Sequence, residues 1–363
     1  MKTNLIVLDI GTEFLKAMLL EVDKEQGILK DWVKESLNKV DVDNLEEVFL
    51  IFKKALKKLE KKSGVKTKNI FLGINNNFIR GISTNSCFKR DNEDQKINIS
   101  ELKKYVQRLK WKAFEDVGEL LFKEQDCFDK KFKIIDTQVV DIKLDNESII
   151  NPLGFKGKNI CLTVFSIYAF HSYLKQLFNI FSDFEIIGVS YTPYSLFHSL
   201  DLDFKKNCLI IDIGGKTTEI ILIKNNSEEI NVKKFSLGGH SFTKELSQLL
   251  NINFNKAERI KLKYSKKNLK SKKIQELFES IAVFWFKGFR VVLDEYKTIP
   301  SDIFLCGEGS KLIEIKKILK KKGFNVKNIP KREILLENKT KLDNIPSLSL
   351  AQFALDYLEN SVI

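Results

Sequence analysis

Two stretches of this sequence repeat one pattern, LIVLDIGTEFLKAML at residues 5–19 and LIIDIGGKTTEIILI at residues 209–223. Each opens with an apolar run that predicts a buried strand, turns at a D-I-G triplet, and continues as a second strand. One such hairpin is weak evidence, because most Asp-Gly turns bind nothing. Two copies, each at the first strand of its half, predict hairpins that face each other across a cleft between two lobes.

The residues around both turns suit a polyphosphate. Glycine lets backbone N–H groups turn toward an anion with no Cβ in the way. Thr12, Thr217 and Thr218 add hydroxyl donors. Asp9 and Asp212 end the two first strands and could hold Mg²⁺ through water, since this ion keeps much of its hydration shell. The pair of hairpins therefore predicts a site that grips a magnesium-bound polyphosphate.

Length and composition agree with two folded lobes. A chain of 363 residues is long for one hydrophobic core, and its 43% hydrophobic content is ample for two. The formal charge is +13, but only six of the 61 basic residues are arginine, which base and bidentate phosphate recognition prefers. We therefore attribute the lysine excess to compositional bias and expect no nucleic-acid partner.

The cysteines and histidines predict neither a metal centre nor a catalytic site. The five cysteines are scattered and odd in number, without zinc spacing, so we expect reduced core residues. They are Cys87, Cys127, Cys161, Cys208 and Cys306. The three histidines are isolated and expected to be structural: His171, His198 and His240. With no signal-like start and no apolar run of membrane-spanning length, the expected location is the cytoplasm.

Changes in composition suggest an insertion and a domain plan. Residues 75–100 are polar and Asn-rich, Ser100 is a candidate N-cap for the helix that follows, and NPLGFKGK at 151–158 forms a Pro/Gly loop. The predicted first lobe is 1–82 with 164–203, interrupted by a small subdomain at 83–163. The predicted second lobe is 204–245 with 300–363, and it carries a smaller subdomain at 246–299.

A third glycine element lies at residues 302–319, DIFLCGEGSKLIEIKKIL. It predicts a strand, a turn with Gly307, Gly309 and Ser310, and an amphipathic helix. A strand-to-helix glycine turn is a common nucleotide platform, although it is also an ordinary connection. Because it follows the second hairpin, it is placed where an adenosine pocket would be completed.

DIGTEFLK, DIGGKTTEI and CGEGSKL, in this order, resemble the superfamily of actin, Hsp70 and the sugar kinases, and within it the FtsA family of bacterial cell-division proteins. NPLGFKGK resembles the family's NP-x-G-x-x-G segment, SLGGHSFTKEL its Gly-Gly loop, NKAERIKLKYS its AE-x-x-K segment and IPSLSLAQFALDYL its closing helix. The resemblance implies an α/β, actin-like (ribonuclease H-like) two-lobed fold with a small α+β subdomain inserted in the first lobe.

The resemblance also implies ATP and Mg²⁺ as cofactors, with Glu258 and Lys261 reaching the ribose and base. The implied nucleotide-binding residues are Gly11, Thr12, Glu13, Lys16, Gly214, Gly215, Lys216, Thr217, Thr218, Gly238, Gly239, Glu258, Lys261, Gly307, Glu308, Gly309 and Ser310. The implied metal-binding residues are Asp9 and Asp212.

Three departures from the family limit these expectations. Lys216 replaces a third glycine, so it could pair with phosphate or point outward, and we favour pairing. Thr192-Pro193 stands where the superfamily often has an acid or amide that orients water, which predicts weak or absent ATP hydrolysis. The sequence ends at ENSVI without the family's membrane helix, so membrane contact is expected to be indirect.

The resemblance implies a scaffold that self-associates into protofilaments, receives the C-terminal peptide of the tubulin-like protein FtsZ, and joins other divisome or membrane proteins at the inner face of the membrane at midcell. The candidate FtsZ surface is the Lys- and aromatic-rich part of 246–300, which could equally be a solvated face over a core. One alternative is a scaffold like the pilus-assembly protein PilM. The other is a sugar-kinase-type enzyme, which would need a catalytic aspartate that we do not find.

Overall fold

The computed structural model describes residues 3–361 except 24–26, 38–39, 124–130, 200–206, 225–228, 330–334, 337–341 and 343. The strands are β1 (Thr3–Ile10), β2 (Phe14–Val22), β3 (Gly27–Ser36), β4 (Asn69–Ile74), β5 (Ile79–Lys89), β6 (Phe132–Leu144), β7 (Glu147–Ser148), β8 (Asn159–Phe170), β9 (Glu185–Tyr191), β10 (Cys208–Ile213), β11 (Thr218–Lys224), β12 (Glu229–Phe235), β13 (Asp302–Cys306), β14 (Asn325–Asn328) and β15 (Leu335–Leu336). The helices are α1 (Leu45–Ser63), α2 (Ile99–Lys123), α3 (His171–Ile180), α4 (Thr192–His198), α5 (Gly239–Leu250), α6 (Phe254–Ser265), α7 (Lys272–Val292), α8 (Ile313–Lys321) and α9 (Ile345–Ser361), with a 3-10 helix at Glu308–Lys311.

Two sheets repeat one strand order. The first contains β3-β2-β1-β4-β9 and the second β12-β11-β10-β13-β14. In both, the first three strands along the chain form an antiparallel meander, and two later strands add in parallel on the other side. The repeat seen in the two D-I-G hairpins therefore extends to five strands in each lobe, and it brings each D-I-G turn to the same edge of its sheet.

The first lobe is built around β1, which lies between β2 and β4. Its side chains from Leu5 to Leu8 are at most 1% exposed, because a central strand covered on both faces is apolar throughout rather than alternating. Helix α1 packs one apolar stripe against this sheet. Asn44 caps its start by accepting from the Glu47 N–H, and Gly64 ends it with φ +72°.

The closing segment returns to the first lobe, which corrects the prediction that 300–363 belongs to the second. Strand β15 pairs in parallel with β3 at the edge of the first sheet. Helix α9 is buried against the first-lobe core through Leu350, Ala351 and Phe353. Gly73 of β4 makes room for it, since a Cβ there would overlap the Leu350 side chain. A helix with apolar residues on several faces needs burial on more than one side, and the first sheet and α4 supply it.

A third, antiparallel sheet has the order β5-β8-β6-β7 and is covered by α2. Its strands run from Ile79 to Phe170, beyond the predicted insert of 83–163 at both ends, because β5 and β6 begin, and β8 ends, inside the first-lobe core. Helix α2 begins at Ile99, and the Asn98 side chain accepts from the Glu101 N–H. The N-cap is therefore Asn98 and not Ser100 as predicted.

The cysteines differ in part from the expectation of reduced core residues. Cys87 on β5 and Cys161 on β8 are direct cross-strand neighbours and form a disulfide. A pairing across 74 residues follows from strand register, which the odd count and scattered spacing could not indicate. Cys208 and Cys306 are free and buried. Cys127 lies outside the described residues.

The second lobe carries a helical layer formed by α5, α6 and α7. Trp285, Phe278 and Phe289 of α7 are at most 1% exposed and pack on the second sheet together with Phe242 of α5. Within the described part of the chain, no helix combines the length and the apolar character needed to cross a bilayer.

Candidate functional site

The two hairpin turns meet in one small cavity between the lobes. A Cβ on Gly214 would lie 3.7 Å from Thr12 Oγ1, and a Cβ on Gly215 would overlap the Glu13 carboxylate. The backbone of the second turn therefore lies next to the Thr12 and Glu13 side chains of the first turn. The predicted site residues that line this cavity are Asp9, Gly11, Thr12, Glu13, Lys16, Asp212, Gly214, Gly215, Thr217, Gly307 and Glu308. Gly11 and Gly214 thus line one space, as the duplicated pattern predicts.

The cavity has a volume of about 80 Å³. Sites for small organic ligands usually enclose roughly 300–1,000 Å³. The space between the turns is therefore smaller than a site for a whole small organic ligand.

An ion pair and a contact between a carboxylate and a histidine join the lobes at this cleft. Lys34 Nζ of β3 lies 2.5 Å from Glu308 Oε1 on the 3-10 helix after β13. Burial opposes ionisation of Glu308, but the hydrogen bond and charge of Lys34 outweigh it, so the Glu308 pKa lies below its ordinary value. Glu13 Oε1 of the first turn lies 2.9 Å from His240 Nε2 of α5. In each pair, one partner belongs to the first lobe and the other to the second, so both contacts oppose separation of the lobes.

Two amide contacts join the lobes beside the same cleft. The Asn75 side-chain amide, just after β4, donates to Glu219 Oε2 on β11. The Lys234 ammonium of β12 donates to Asn77 Oδ1 at 2.8 Å. Opening the cleft would break these two contacts and expose their polar groups to water.

The first half of the repeat pairs its acid with a base. Asp9 stands opposite Lys16 in the β1–β2 register, and Lys16 Nζ donates to Asp9 Oδ2 at 2.9 Å. The same oxygen accepts from Ser347 Oγ of α9 at 2.5 Å. Asp9 is 3% exposed, so its charge is balanced inside the protein by an opposite charge and a hydroxyl.

In the second hairpin, the residue that faces the acid across the strand pair is itself an acid. Asp212 stands opposite Glu219 in the β10–β11 register, which is the position of Lys16 in the first half. Burial raises the pKa of Asp212 to about 6, with Lys16 opposing the shift. Burial and the neighbouring Asp212 raise the pKa of Glu219 to about 8. Two buried carboxyl groups side by side disfavour ionisation of both, so Glu219 retains a proton at neutral pH.

The acids suit a magnesium ion that brings its own ligands. Among the described residues, no group of three or more His, Cys, Asp or Glu side chains is arranged to hold a metal alone. Mg²⁺ is usually bound by one or two carboxylates together with water and substrate phosphates. Asp9 and Asp212, which line the cavity from opposite lobes, fit that requirement.

Several predicted binding residues stand behind the second turn and support it. The N–H groups of Gly239 and His240 donate to the carbonyls of Gly214 and Gly215 at 2.9 and 2.8 Å. Gly238 is needed there, because a Cβ would lie 2.5 Å from Gly215 O. The first turn of α5 is thus used to fix the hairpin turn, and Gly238 and Gly239 do not line the cavity.

Thr218 also faces away from the cavity, contrary to the prediction that its hydroxyl meets the nucleotide. It is fully buried, and its Oγ1 donates to Leu237 O at 2.6 Å. The same oxygen accepts from Trp285 Nε1 of α7 at 2.9 Å. The tryptophan in the helical layer is thereby linked to the strand that follows the phosphate turn.

Lys216 lies in the turn but lines a separate pocket between α5 and α7, so the outward of its two alternatives holds. Glu258 and Lys261, predicted for the ribose and base, are engaged internally. Lys261 Nζ lies 2.8 Å from Glu258 Oε2 and donates to Gly239 O at 2.9 Å.

The glycine turn after β13 is only partly in the cavity. Gly307 and Glu308 line it. Ser310 donates its hydroxyl to Gly307 O at 2.7 Å, and Gly309 packs on Ile213. The structure therefore brings the two hairpin turns together with Gly307 and Glu308, whereas Gly309, Ser310, Glu258 and Lys261 do not line this cavity.

Six residues of these cross-lobe contacts were not predicted as site residues: Asn75, Glu219, Lys234, Asn77, Lys34 and His240. Only Glu219 had a sequence signal, since it occupies in the second hairpin the place that Lys16 occupies in the first. Thr192, at the predicted water-orienting position, does line the cavity. Its Oγ1 is buried and has no hydrogen-bond partner among the described residues.

Comparison with known families supports the sequence resemblance. The family model for cell division protein FtsA matches residues 209–345. FtsA of Helicobacter pylori is 29% identical over 125 residues, which are 33% of this chain and 25% of the relative. FtsA of Bacillus subtilis is 23% identical over 264 residues, 70% of this chain and 57% of the relative. The chain therefore spans about a quarter to somewhat over half of the length of these two curated relatives.

Solved structures show the same fold. The protein in a PilM-PilN type IV pilus biogenesis complex superposes with a TM-score of 0.65 at 16% identity, covering 97% of this chain and 99% of that one. MreB5 of Spiroplasma citri, crystallised with AMPPNP, superposes with a TM-score of 0.51 at 11% identity, covering 99% and 98%. The chain therefore has an actin-like fold, and the proteins it resembles in sequence are FtsA cell-division proteins.

Proposed function

We propose that the chain is an ATP-binding scaffold of the cell-division machinery that closes its two lobes on the nucleotide. One observation carries the proposal. The two D-I-G turns of a duplicated five-strand unit line a single cavity, together with Asp9, Asp212 and Lys16. Backbone N–H groups of glycine turns, a lysine and two carboxylates are the groups that a magnesium-bound triphosphate requires.

The proposal assigns a role to the glycine turns, the two acids and the lysine of the cavity. The turns at Gly11 and Gly214 hold the phosphates, and Asp9 and Asp212 hold Mg²⁺ through its water ligands. Lys16, which now pairs with Asp9, lies close enough to share its charge with a phosphate. Mg²⁺ supplies charge neutralisation between the phosphate oxygens when it is bound.

Nucleotide entry requires the lobes to open, because the cavity of about 80 Å³ is too small for ATP. The contacts that resist opening are the pairs Lys34–Glu308 and Glu13–His240 with the two amide contacts beside them. ATP would replace part of this network with its own phosphate contacts. The protein is thus expected to exchange nucleotide slowly and to differ in lobe angle between its free and bound forms.

ATP turnover is expected to be slow or absent. Phosphoryl transfer needs a group that places the attacking water in line. The residue at the expected place is Thr192, a neutral hydroxyl. Glu219 is near, but at neutral pH it holds a proton, since its pKa is raised to about 8, and a protonated carboxyl cannot accept one from water.

The FtsZ C-terminal peptide is the proposed partner, docked on α7. Only part of the aromatic stretch at 282–290 is available for it, because Trp285 and Phe289 belong to the core. The last exposed residues of α7 are Lys287, Arg290 and Val291, here called the α7 outer face. Two cations beside an apolar side chain suit an acidic peptide with an apolar anchor. Self-association into protofilaments and indirect recruitment to the membrane by other divisome proteins complete the proposal.

A pull-down with immobilised FtsZ tail peptide tests the partner. The wild type should be retained, and the double variant Lys287→Glu, Arg290→Glu should be lost, because both charges on the α7 outer face are reversed. Phe122→Ala is the matched control, since Phe122 is 76% exposed on α2, far from this face in the fold. Equal retention of wild type and the double variant would remove the α7 outer face from the proposal.

A pilus-assembly scaffold is the second candidate, supported by the PilM-type fold alone. Absence of any FtsZ tail binding by the wild type would favour it. A kinase would instead show phosphate transfer from ATP that depends on a small acceptor.

A further inference from the structure

A second, larger pocket lies in the second lobe between α5 and α7, outside the cleft. Its volume is about 750 Å³, which is within the range of small-molecule sites. It is bounded by the end of β12, one side of α5, the start of α6 and one side of α7. None of the predicted nucleotide-binding residues except Lys216 lines it.

One wall of this pocket is cationic. Lys216 reaches it from the phosphate turn, and Lys244 and His240 reach it from α5. Neither lysine makes an ion pair within 4.0 Å with another described residue. Glu245 is the acid on this wall, which leaves an excess of positive charge. Ser241 adds a hydroxyl that can donate to an anion.

Apolar side chains line the rest of the pocket. Leu277, Ile281 and Phe284 of α7 line it, with Phe254 at the start of α6. Phe254 is held in place by an edge contact with the His240 ring at a centroid distance of 5.0 Å. Phe284 is 59% exposed at the rim. The pocket therefore combines cationic side chains with aromatic and aliphatic ones.

We infer that this pocket binds a small amphiphilic anion, a ligand that combines a phosphate, sulfonate or carboxylate group with an aromatic or aliphatic body. The anionic group pairs with Lys216 and Lys244, and the body lies between Phe254 and Phe284. A flat acidic surface of a protein would meet the lysines but leave the enclosed apolar wall empty, so the pocket favours a small ligand.

The site adjoins the nucleotide cleft through two residues. Lys216 belongs to the phosphate turn, and the Nε2 of His240 lies 2.9 Å from Glu13 across the cleft. An anion that accepts a hydrogen bond from the His240 ring competes with Glu13 for this side chain. The ligand therefore acts on one of the contacts that keep the lobes together.

Fluorescence titration with 8-anilinonaphthalene-1-sulfonate, an aromatic anion, tests the site in the full chain. The wild type should bind the dye saturably, and inorganic phosphate should displace it. Lys244→Ala should weaken binding about threefold, the loss expected for one partly exposed charge pair. Phe284→Ala should weaken it by a similar factor and leave the effect of phosphate intact. Both side chains are exposed at the pocket, so neither change threatens folding.

Two controls separate this pocket from other surfaces. Lys272→Ala removes a lysine that is 88% exposed on α7 outside the pocket, and Phe122→Ala removes the exposed ring on α2. Neither should change dye affinity. Dye affinity that is unchanged in both Lys244→Ala and Phe284→Ala would overturn the inference, and so would a signal that Phe122→Ala abolishes. None of these readouts involves ATP, so the inference can fail while the proposed function stands.

Discussion

The buried acid pair predicts a pH-dependent stability that one substitution should remove. Glu219 is 4% exposed, faces Asp212, and has a pKa raised from 4.5 to about 8 by burial and by that neighbour. Glu219→Gln replaces the protonated carboxyl with an amide of the same shape. The amide oxygen can still accept from Asn75, so the cross-lobe hydrogen bond is kept. The substitution therefore removes the titrating proton and keeps the hydrogen bond with Asn75.

The sign follows from proton uptake. Between pH 4.5 and 8 the folded protein holds the proton on Glu219, whereas the unfolded chain has released it. The folded state binds more protons, so the free energy of unfolding falls as pH rises. For one group with these two pKa values, the loss from pH 6 to pH 8 is about 2 kcal/mol. In Glu219→Gln this loss should disappear.

Urea unfolding at pH 6, 7 and 8, without nucleotide and with a chelator, measures the effect. The variant should match the wild type near pH 6 and exceed it by about 2 kcal/mol at pH 8. Glu276→Gln is the control, because Glu276 is 63% exposed on α7 and should leave the wild-type slope unchanged. If the free energies of unfolding of the wild type and of Glu219→Gln change equally with pH over this range, Glu219 is not protonated in the folded protein at neutral pH.

Two further changes test the cleft and its supports. Lys34→Gln removes the charge that pairs with Glu308 across the lobes, so association of a fluorescent ATP analogue should be several-fold faster in stopped flow, whereas Lys53→Gln on α1 should have no effect. Gly307→Ala should lower the free energy of unfolding, measured in urea, by about 2–4 kcal/mol, because φ is +78° and the new Cβ would lie 2.5 Å from Ile213 O and overlap Asp212 Oδ1. Gly154→Ala is the control: φ is +83° there, but the new Cβ would lie in open space, so the loss should be only about 1 kcal/mol.

The duplicated turns were predictable because each half carries its own copy of the signal. An apolar strand that ends in D-I-G is local information, and it placed Asp9, Asp212 and the glycine turns at one cleft correctly. The same repeat could have revealed Glu219, since aligning the two hairpins sets it against Lys16. In the first hairpin this position holds a lysine, which pairs with Asp9. In the second it holds an acid, which lies beside Asp212.

The contacts that join the lobes could not be predicted, because they depend on tertiary placement. Lys34 and Glu308 are 274 residues apart. Glu308 belongs to the CGEGSKL segment, but Lys34 belongs to none of the predicted motifs. Thr218 looked like a phosphate ligand by position, but the strand turns its hydroxyl toward Leu237 and Trp285. The return of α9 to the first lobe likewise depends on where an unfilled apolar surface remains after both sheets have formed.

Isothermal calorimetry of MgATP binding to the wild type and to Asp212→Ala tests the central claim most directly. The account predicts that the wild type binds MgATP and that the variant, still folded by circular dichroism, binds it at least about tenfold more weakly, a loss of about 1.4 kcal/mol. Equal affinity in the two proteins, or no MgATP binding by the wild type, would contradict it.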